Sequence, residues 1–159
     1  MNKSFLLIPF LFFSFLVSAE ESLPLEVKSN SLSINYSKKI ARYQGKVIAV
    51  QGDLNINSDL MTVSYGGMEN VLKSDGSSFE SIVFEKNVQI EQGGNVATGN
   101  NAIYRSKDKK IFLTGNAMLM QGKNNFRGKA VIYDTERKFF SITNGTKENK
   151  KRVRAIIFD

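Results

Sequence analysis

The chain has 159 residues, contains no histidine and no cysteine, and has a formal net charge of +7. It therefore cannot use a histidine general base or a thiol nucleophile, cannot build a typical zinc site, and has no disulfide. Its positive charge favours an anionic partner, such as a phosphorylated glycolipid, an acidic polysaccharide or an anionic membrane surface.

The first 19 residues have the features of a secretory signal. Lys3 precedes a 13-residue apolar run over 5–17, and Val17-Ser18-Ala19 carries small residues where a signal peptidase cuts. The run is shorter than the ~20 residues that span a bilayer. An uncleaved anchor is the alternative. We predict cleavage after Ala19, which leaves a single exported domain over residues 20–159.

An eight-residue pattern recurs four times in this domain. Its first, sixth and eighth positions are apolar, and its third is Ser or Gly. The copies span 27–34, 56–63, 97–104 and 126–133, so they begin 29, 41 and 29 residues apart. The longer step is a 29-residue repeat with a 12-residue insertion. A period of this size indicates stacked units that can bury their apolar faces only together.

Each copy contains a mismatch in strand parity. Positions 6 and 8 alternate as in a strand, but position 1 has the wrong parity to share their face. One extra residue near the small third position would restore the match, as a β-bulge does. We predict that each copy is a strand kinked at Ser or Gly with one apolar face throughout. Chance alternation followed by an ordinary turn is the alternative.

The segments between the copies repeat as well. The stretches 41–46, 82–87, 111–116 and 140–145 occupy equivalent positions in successive repeats. Turns rich in Gly, Asn and Asp separate the strands. Val, Ile, Tyr, Phe and Thr fill the apolar runs, and no window has a sustained 3.6-residue period. The pattern predicts an all-β domain made of two-strand units of about 29 residues.

Three segments stand apart from the repeat. The insertion 66–78 has no counterpart in the other units. The basic run 107–110 is interpreted as a solvated turn. The denser basic run 147–152 precedes a last apolar strand, Val153 to Phe158, and could place positive charge beside an open sheet edge.

Carboxylates are the remaining candidates for catalysis. A pair of them can support glycoside chemistry, and the candidates are Glu80, Glu85, Glu91, Asp134 and Glu136. All lie in polar slots of the strand pattern or in turns, where solvated surface is the simpler interpretation. The glycine-rich stretch 92–95 precedes a strand instead of the helix that a phosphate-cradling loop needs. We predict that the chain is not an enzyme and needs neither cofactor nor metal.

Two segments resemble the OstA/LptA family of proteins. They are residues 43–59, YQGKVIAVQGDLNINSD, and residues 113–122, LTGNAMLMQG. The most specific features are the Gly-Asn or Gly-Lys pairs followed by Val or Ala, and the Ser or Gly followed by Asp, Asn or Lys at the strand entries. The similarity extends from about Leu25 to Phe158.

This resemblance implies a periplasmic protein, soluble after signal cleavage, that bridges the two membranes in lipopolysaccharide export. The implied fold is an open β-jelly roll, V-shaped in section, whose apolar interior holds the acyl chains of the lipid A portion. The family also implies a head-to-tail homo-oligomer. Its partners would be a bitopic inner-membrane protein of similar fold at one end and an outer-membrane barrel assembly at the other, with no role for nucleic acid.

The inward pattern positions would then form the lipid-binding surface, although several of them could instead form a closed core. These positions are Val27, Leu32, Ile34, Ile56, Met61, Val63, Ala102, Tyr104, Leu113, Leu119, Phe126, Val131 and Tyr133. Headgroup phosphates would meet basic residues at the rim of the interior. The candidates are Lys28, Lys46, Arg127 and Lys129.

Open sheet edges are expected near Leu25–Ile34 and near Val153–Phe158, and such edges recruit other chains. Joining the two is a heterologous contact that propagates end to end. A monomer whose last strand folds back on its own sheet is the alternative.

Two further function classes stay open, an exported carbohydrate-binding β-sandwich and a scaffold or adhesin module without a ligand. The lack of Trp and the inward slots of most Tyr residues count against the first.

Overall fold

The structure is a computed structural model that describes residues 23–66, 79–144 and 152–157. The predicted signal segment, most of the 66–78 insertion and residues 147–151 of the second basic run lie outside these ranges. The described residues form twelve strands: β1 (Glu26–Lys28), β2 (Ser31–Asn35), β3 (Ile40–Gln51), β4 (Leu54–Tyr65), β5 (Phe79–Gln92), β6 (Asn95–Arg105), β7 (Lys110–Thr114), β8 (Met118–Gln121), β9 (Asn124–Arg127), β10 (Ala130–Asp134), β11 (Phe139–Thr143) and β12 (Arg154–Ile156). Within these ranges there is no helix of the length and apolar character that crossing a membrane requires.

All twelve strands belong to one antiparallel sheet that bends along a line through its middle. The four long strands β3 to β6 cross this line, so each contributes to both sides. We call the two sides half-sheets. The first runs in the order β1, β3, β4, β5, β6, β8, β9, β12. The second runs in the order β2, β3, β4, β5, β6, β7, β10, β11.

The bend lies at the small residue of each repeat. In β4 the buried residues are Ile56 and Ser58 before the bend and Met61, Val63 and Tyr65 after it, so one extra residue changes the strand parity. The pairing of β3 with β4 shifts its register at the same place. In the first and fourth copies the strand breaks there instead, between β1 and β2 and between β9 and β10. The predicted kink with a continuous apolar face is confirmed.

Left-handed backbone opposite the small residue makes the bend possible. Gly45 and Lys46 have φ of 78° and 48°, and the equivalent Gly115 and Asn116 have 74° and 57°. A Cβ added to Gly45 or Gly115 would collide with the Asn of the neighbouring copy, Asn30 or Asn100. Glycine is therefore favoured at both positions by its conformation and by the limited space.

Serine hydroxyls complete the kink where the third position is Ser. Ser29 donates to the carbonyl of Ser31 at 2.9 Å, and Ser58 donates to the carbonyl of Leu60 at 3.0 Å. Both bonds reach two residues ahead, a local pattern by which Ser satisfies backbone groups that leave the ladder. The Ser at the third position therefore forms the same hydrogen bond at the kink in both copies.

The inner faces of the two half-sheets pack against each other in one core. The largest fully buried side chains come from both: Tyr133, Phe84, Met61, Ile90, Ile111, Leu113, Val47, Val63, Val88 and Val131. The sheet does not close on itself. Among the described strands, β1 and β2 pair only with β3, while β11 pairs only with β10 and β12 only with β9. The last strand is shorter than the predicted stretch Val153 to Phe158.

Candidate functional site

The inward face of the bent sheet is the candidate site. Residues that pair directly across antiparallel strands share one face, and each of the thirteen predicted positions pairs with another inward residue. Leu32, for example, pairs with Tyr43, which pairs with Met61, which in turn pairs with Phe84. The structure thus brings all thirteen to the same face.

Their exposure differs along the sheet. Eight are at most 5% exposed, namely Ile56, Met61, Val63, Ala102, Leu113, Leu119, Val131 and Tyr133. Val27, Tyr104 and Phe126 are partly buried against this core. Leu32 and Ile34 are 51% and 41% exposed because β2 is an edge strand. The inward face is therefore a closed core in the middle and an open apolar surface at the β2 end.

A cavity of about 70 Å³ lies between the two half-sheets. Leu25, Ala49 and Ile56 line it from the first half-sheet, and Phe84, Tyr104 and Ile111 line it from the second. A space of this size holds only a few water molecules. The half-sheets are thus nearly in contact in this conformation.

Four tyrosines face this interior and keep it uncharged. Burial raises the pKa of Tyr43, Tyr65 and Tyr104, and burial together with the nearby Asp53 and Asp134 carboxylates raises that of Tyr133 to about 12. The ring of Tyr133 lies 4.6 Å from that of Phe140, and the ring of Tyr65 lies 5.5 Å from that of Phe79. These side chains extend the apolar surface to β11 and to the start of β5.

Among the described residues, one ion pair crosses the gap between the two half-sheets. Lys138 Nζ, in the turn between β10 and β11, lies 3.7 Å from Asp53 Oδ1 in the turn between β3 and β4. Within the first half-sheet, the side-chain amide of Gln92, 5% exposed, donates to Asp53. Since the ion pair is exposed on both sides, it contributes little to stability.

The four predicted rim residues are all exposed, but they do not form one group. Lys28 lies on β1, where its ammonium is 3.1 Å from Glu26, and Lys46 lies at the bend of β3. Arg127 and Lys129 lie at the other end of the first half-sheet, at the end of β9 and just after it. Five strand spacings separate β3 from β9, which is about 24 Å along the sheet. A single headgroup cannot contact all four.

The carboxylates considered for catalysis are dispersed. Glu85 and Glu91 lie on different half-sheets, and Glu91 accepts a hydrogen bond from the Gln89 side chain. Asp134 accepts a backbone hydrogen bond from Arg137 in the turn after β10. Among the described residues no three metal-binding side chains are grouped.

Several interior residues were missed by the sequence analysis. Ile82, Phe84 and Ile111 line the cavity but belong to the segments between the copies. The sequence does contain a pattern that could have identified them, because the stretches 82–87 and 111–116 place apolar residues at equivalent repeat positions. Phe79 and Leu25 also contribute, and nothing in the eight-residue pattern marks them.

Comparisons with known proteins agree with this architecture. A crystal structure of LptH, described as the LptA homologous periplasmic component of the conserved lipopolysaccharide transport device from Pseudomonas aeruginosa, superposes with a TM-score of 0.68. It is 21% identical in sequence, and the match covers 86% of this chain and 96% of that one. The predicted fold class, an all-β open β-jelly roll, is confirmed.

Curated relatives point the same way. The lipopolysaccharide export system protein LptA of Escherichia coli is 27% identical over 123 residues, which is 76% of this chain and 64% of that protein. The lipopolysaccharide export system protein LptH of Pseudomonas aeruginosa is 22% identical over 130 residues, covering 80% and 73%. The chain thus spans a little less than two thirds of the LptA relative.

A family comparison also matches most of the chain. The profile described as LptA/(LptD N-terminal domain) LPS transport protein matches residues 26–139, from β1 to the start of β11. This match takes in both half-sheets and most of the inward face. The chain belongs to the LptA/(LptD N-terminal domain) family of LPS transport proteins.

Proposed function

We propose that the protein binds lipopolysaccharide in the periplasm and carries it between inner- and outer-membrane export components. The acyl chains of the lipid A portion would lie along the inward face. The observation that carries this proposal is the continuity of that face, from the buried core to the exposed Leu32 and Ile34 on β2. The transport function named for the relatives supports it.

The interior offers contacts of the type that acyl chains need. Each buried methylene contributes about 0.8 kcal/mol, so a few chains supply ample affinity without polar recognition. The cavity of about 70 Å³ is too small for them. Loading therefore begins at the open β2 end, and the half-sheets separate as the chains enter. A surface that must open in this way also releases its ligand readily.

Site-specific photo-crosslinking tests the proposal. A crosslinker at Ile34, on the exposed inward face, should label lipopolysaccharide strongly. One at Met61, which is 0% exposed, should label it only when the interior opens. Ser33 and Thr62 are one residue out of phase and face outward, opposite Arg42, so they are the matched controls.

Equal labelling at both phases would overturn the proposal. Saturable binding of an acyl-chain probe separates it from the two alternatives, since neither a carbohydrate-binding module nor a scaffold without a ligand predicts such binding. A glycan that competes with the probe would instead favour the carbohydrate-binding module.

End-to-end assembly is the second part of the proposal. Each half-sheet has eight described strands, so its first and last strands run in opposite directions and a second copy continues the antiparallel order. At the β11 end Phe140 and Ile142 face inward, and at the β2 end Leu32 and Ile34 do so. Joining β12 of one copy to β1 of the next would continue the first half-sheet. Joining β11 to β2 in the same way would continue the second half-sheet and cover these apolar side chains.

The same two edges would serve the other partners. A bitopic inner-membrane protein of similar fold would pair with one end of the assembly, and an outer-membrane barrel assembly with the other. Both contacts would continue the inward apolar face.

We also propose that residues 1–19 are removed and that 20–159 is the mature domain. The mass of the protein in a periplasmic extract tests this cleavage.

Sedimentation over a wide concentration range tests the assembly, using the mature chain and a version that ends at Thr146. The full chain should form concentration-dependent oligomers. The shorter chain should associate more weakly, since it loses β12 but keeps the β11 edge. A full-length protein that stays monomeric at high concentration contradicts the proposal, and so does truncation without effect.

A further inference from the structure

Four basic residues lie on or next to the last two strands of the first half-sheet, and we call them the basic quartet: Arg127, Lys129, Arg152 and Arg154. Arg127 on β9 lies directly opposite Arg154 on β12. Arg152 precedes Arg154 by two residues, and Lys129 follows Arg127 by two residues. All four are exposed. Arg127 and Lys129 are among the predicted rim residues, whereas Arg152 and Arg154 are not.

The charge of the quartet is not neutralised by nearby described residues. No Asp or Glu occurs in 117–133 or in 152–157, the segments that form β8, β9, the start of β10 and β12. Three described basic residues elsewhere form ion pairs, Lys28 with Glu26, Arg105 with Asp108 and Lys138 with Asp53. Within the described ranges, no member of the quartet forms one. This end of the sheet is a concentrated positive surface.

Like charges directly opposite each other on neighbouring strands are destabilising. An anion bound between them reverses the sign of the interaction. Guanidinium groups also present paired donors whose geometry matches phosphate, and such charge-assisted bonds are among the stronger hydrogen bonds. Two adjacent arginines with two further cations beside them therefore fit a ligand with more than one negative oxygen.

We propose that the basic quartet binds a phosphate group, and that this phosphate belongs to the headgroup of the transported lipid. The second statement rests on the proposed function. Arg127 and Arg154 are outward, while Phe126 and Ala155 on the same strands are inward. Among the described strands β12 is the last of its half-sheet, about 5 Å from β9. A lipid bound at this end therefore has to pass around only one strand, β12, to contact both faces of the sheet. Its acyl chains would lie against Phe126 on the inward face, and its phosphate would lie at the quartet on the outward face.

Binding of water-soluble probes to the mature chain tests the site without acyl chains. The probes are inorganic phosphate, a bisphosphorylated glucosamine disaccharide and the same disaccharide without phosphate. The bisphosphorylated compound should bind saturably and shift the guanidinium NMR signals of Arg127 and Arg154. Removing two such charge-assisted contacts with Arg127→Gln and Arg154→Gln together should weaken binding about tenfold or more.

The matched control is Lys38→Gln with Lys107→Gln, which removes the same charge from exposed turns of the second half-sheet. It should leave binding nearly unchanged. Arg127→Lys with Arg154→Lys keeps the charge but loses the paired donors, so its affinity should fall between the parent and the Gln pair. Without phosphate the Gln pair should be at least as thermally stable as the parent, because a like-charge contact is gone.

Unchanged binding in the Gln pair would overturn the site. Loss of self-association with intact phosphate binding would do so too, and would assign the quartet to a protein contact. Equal affinity for inorganic phosphate and the disaccharide would keep the site but exclude the headgroup as its ligand. Acyl-probe binding is measured separately, so a failure of the proposed lipid function is distinguishable from a failure of the quartet.

Discussion

The middle and the end of the sheet carry the same pattern but bury it differently. Met61 and Val63 hold the sixth and eighth positions of the second copy and are 0% and 2% exposed, whereas Leu32 and Ile34 hold them in the first copy and are 51% and 41% exposed. Both pairs lie on one face of the sheet. β4 lies between two strands, while β2 pairs only with β3 among the described strands. The pattern decides where a side chain points, and the stacking of units decides whether it is covered.

This difference separates stability from binding. Side chains buried in the middle hold the two half-sheets together, and those at the end remain available to a ligand or to another chain. A substitution at one pattern position should therefore change stability in a middle copy and binding in an end copy. The substitutions below test this division.

The largest effect is expected from truncation in the middle. Met61→Ala removes a fully buried side chain that pairs with Tyr43 and Phe84. It should lower the free energy of unfolding by about 2–5 kcal/mol. Leu32→Ala, at the same repeat position, should cost less than about 1 kcal/mol because the side chain is half exposed. Urea unfolding of the two variants measures both values.

Similar costs for the two variants would contradict the comparison and would indicate that β2 is covered in solution. Repeating the urea unfolding at high protein concentration tests whether assembly covers Leu32. If assembly covers Leu32, the cost of Leu32→Ala should then rise with concentration, while that of Met61→Ala should not.

The second effect concerns the bend. A Cβ added at Gly99 would lie 2.9 Å from the Leu113 side chain and from the Thr114 carbonyl oxygen. Because backbone cannot give way easily, Gly99→Ala should destabilise the protein by about 1–3 kcal/mol. Gly66→Ala is the control, since no described residue lies within 4 Å of its Cβ position. It should change stability by less than about 0.5 kcal/mol. Thermal unfolding that ranks the two variants equally would contradict this account of the bend.

Local geometry was predictable from the sequence, but the arrangement of the half-sheets was not. The wrong parity of Ile56 relative to Met61 predicted the kink, because alternation is a property of one strand. The contact between Asp53 and Lys138 depends on how the half-sheets cross, and no local pattern encodes it. The opposition of Arg127 and Arg154 likewise depends on where the chain returns after the segment 145–151. The separation of the predicted rim residues Lys46 and Arg127 also follows from the strand order, which no local pattern encodes.

The third effect appears only at high pH. Burial, with the Asp53 and Asp134 carboxylates, raises the pKa of Tyr133 from 10.0 to about 12. The folded state therefore keeps this proton where the unfolded state has lost it. Its contribution to stability is complete below pH 10 and is lost as the pH rises towards 12. Tyr133→Phe should show a smaller fall in melting temperature between pH 9 and pH 11.5 than the parent. An identical pH profile would mean that Tyr133 is solvated.

The smallest effect again compares the middle with the end, at the third repeat position. Ser58→Ala and Ser29→Ala remove equivalent hydroxyls, each of which donates to a carbonyl two residues ahead. Both substitutions keep a small side chain, so the kink itself is preserved. Ser58 is 5% exposed, and no water replaces its hydrogen bond, so its loss should cost about 1 kcal/mol. The Ser29 bond is exposed, and water can take its place, so Ser29→Ala should be close to neutral. Denaturant unfolding distinguishes the two. Equal losses would mean that the hydroxyl holds the chain at the bend wherever it lies, so that burial would not explain the difference between the middle and the end of the sheet at this position.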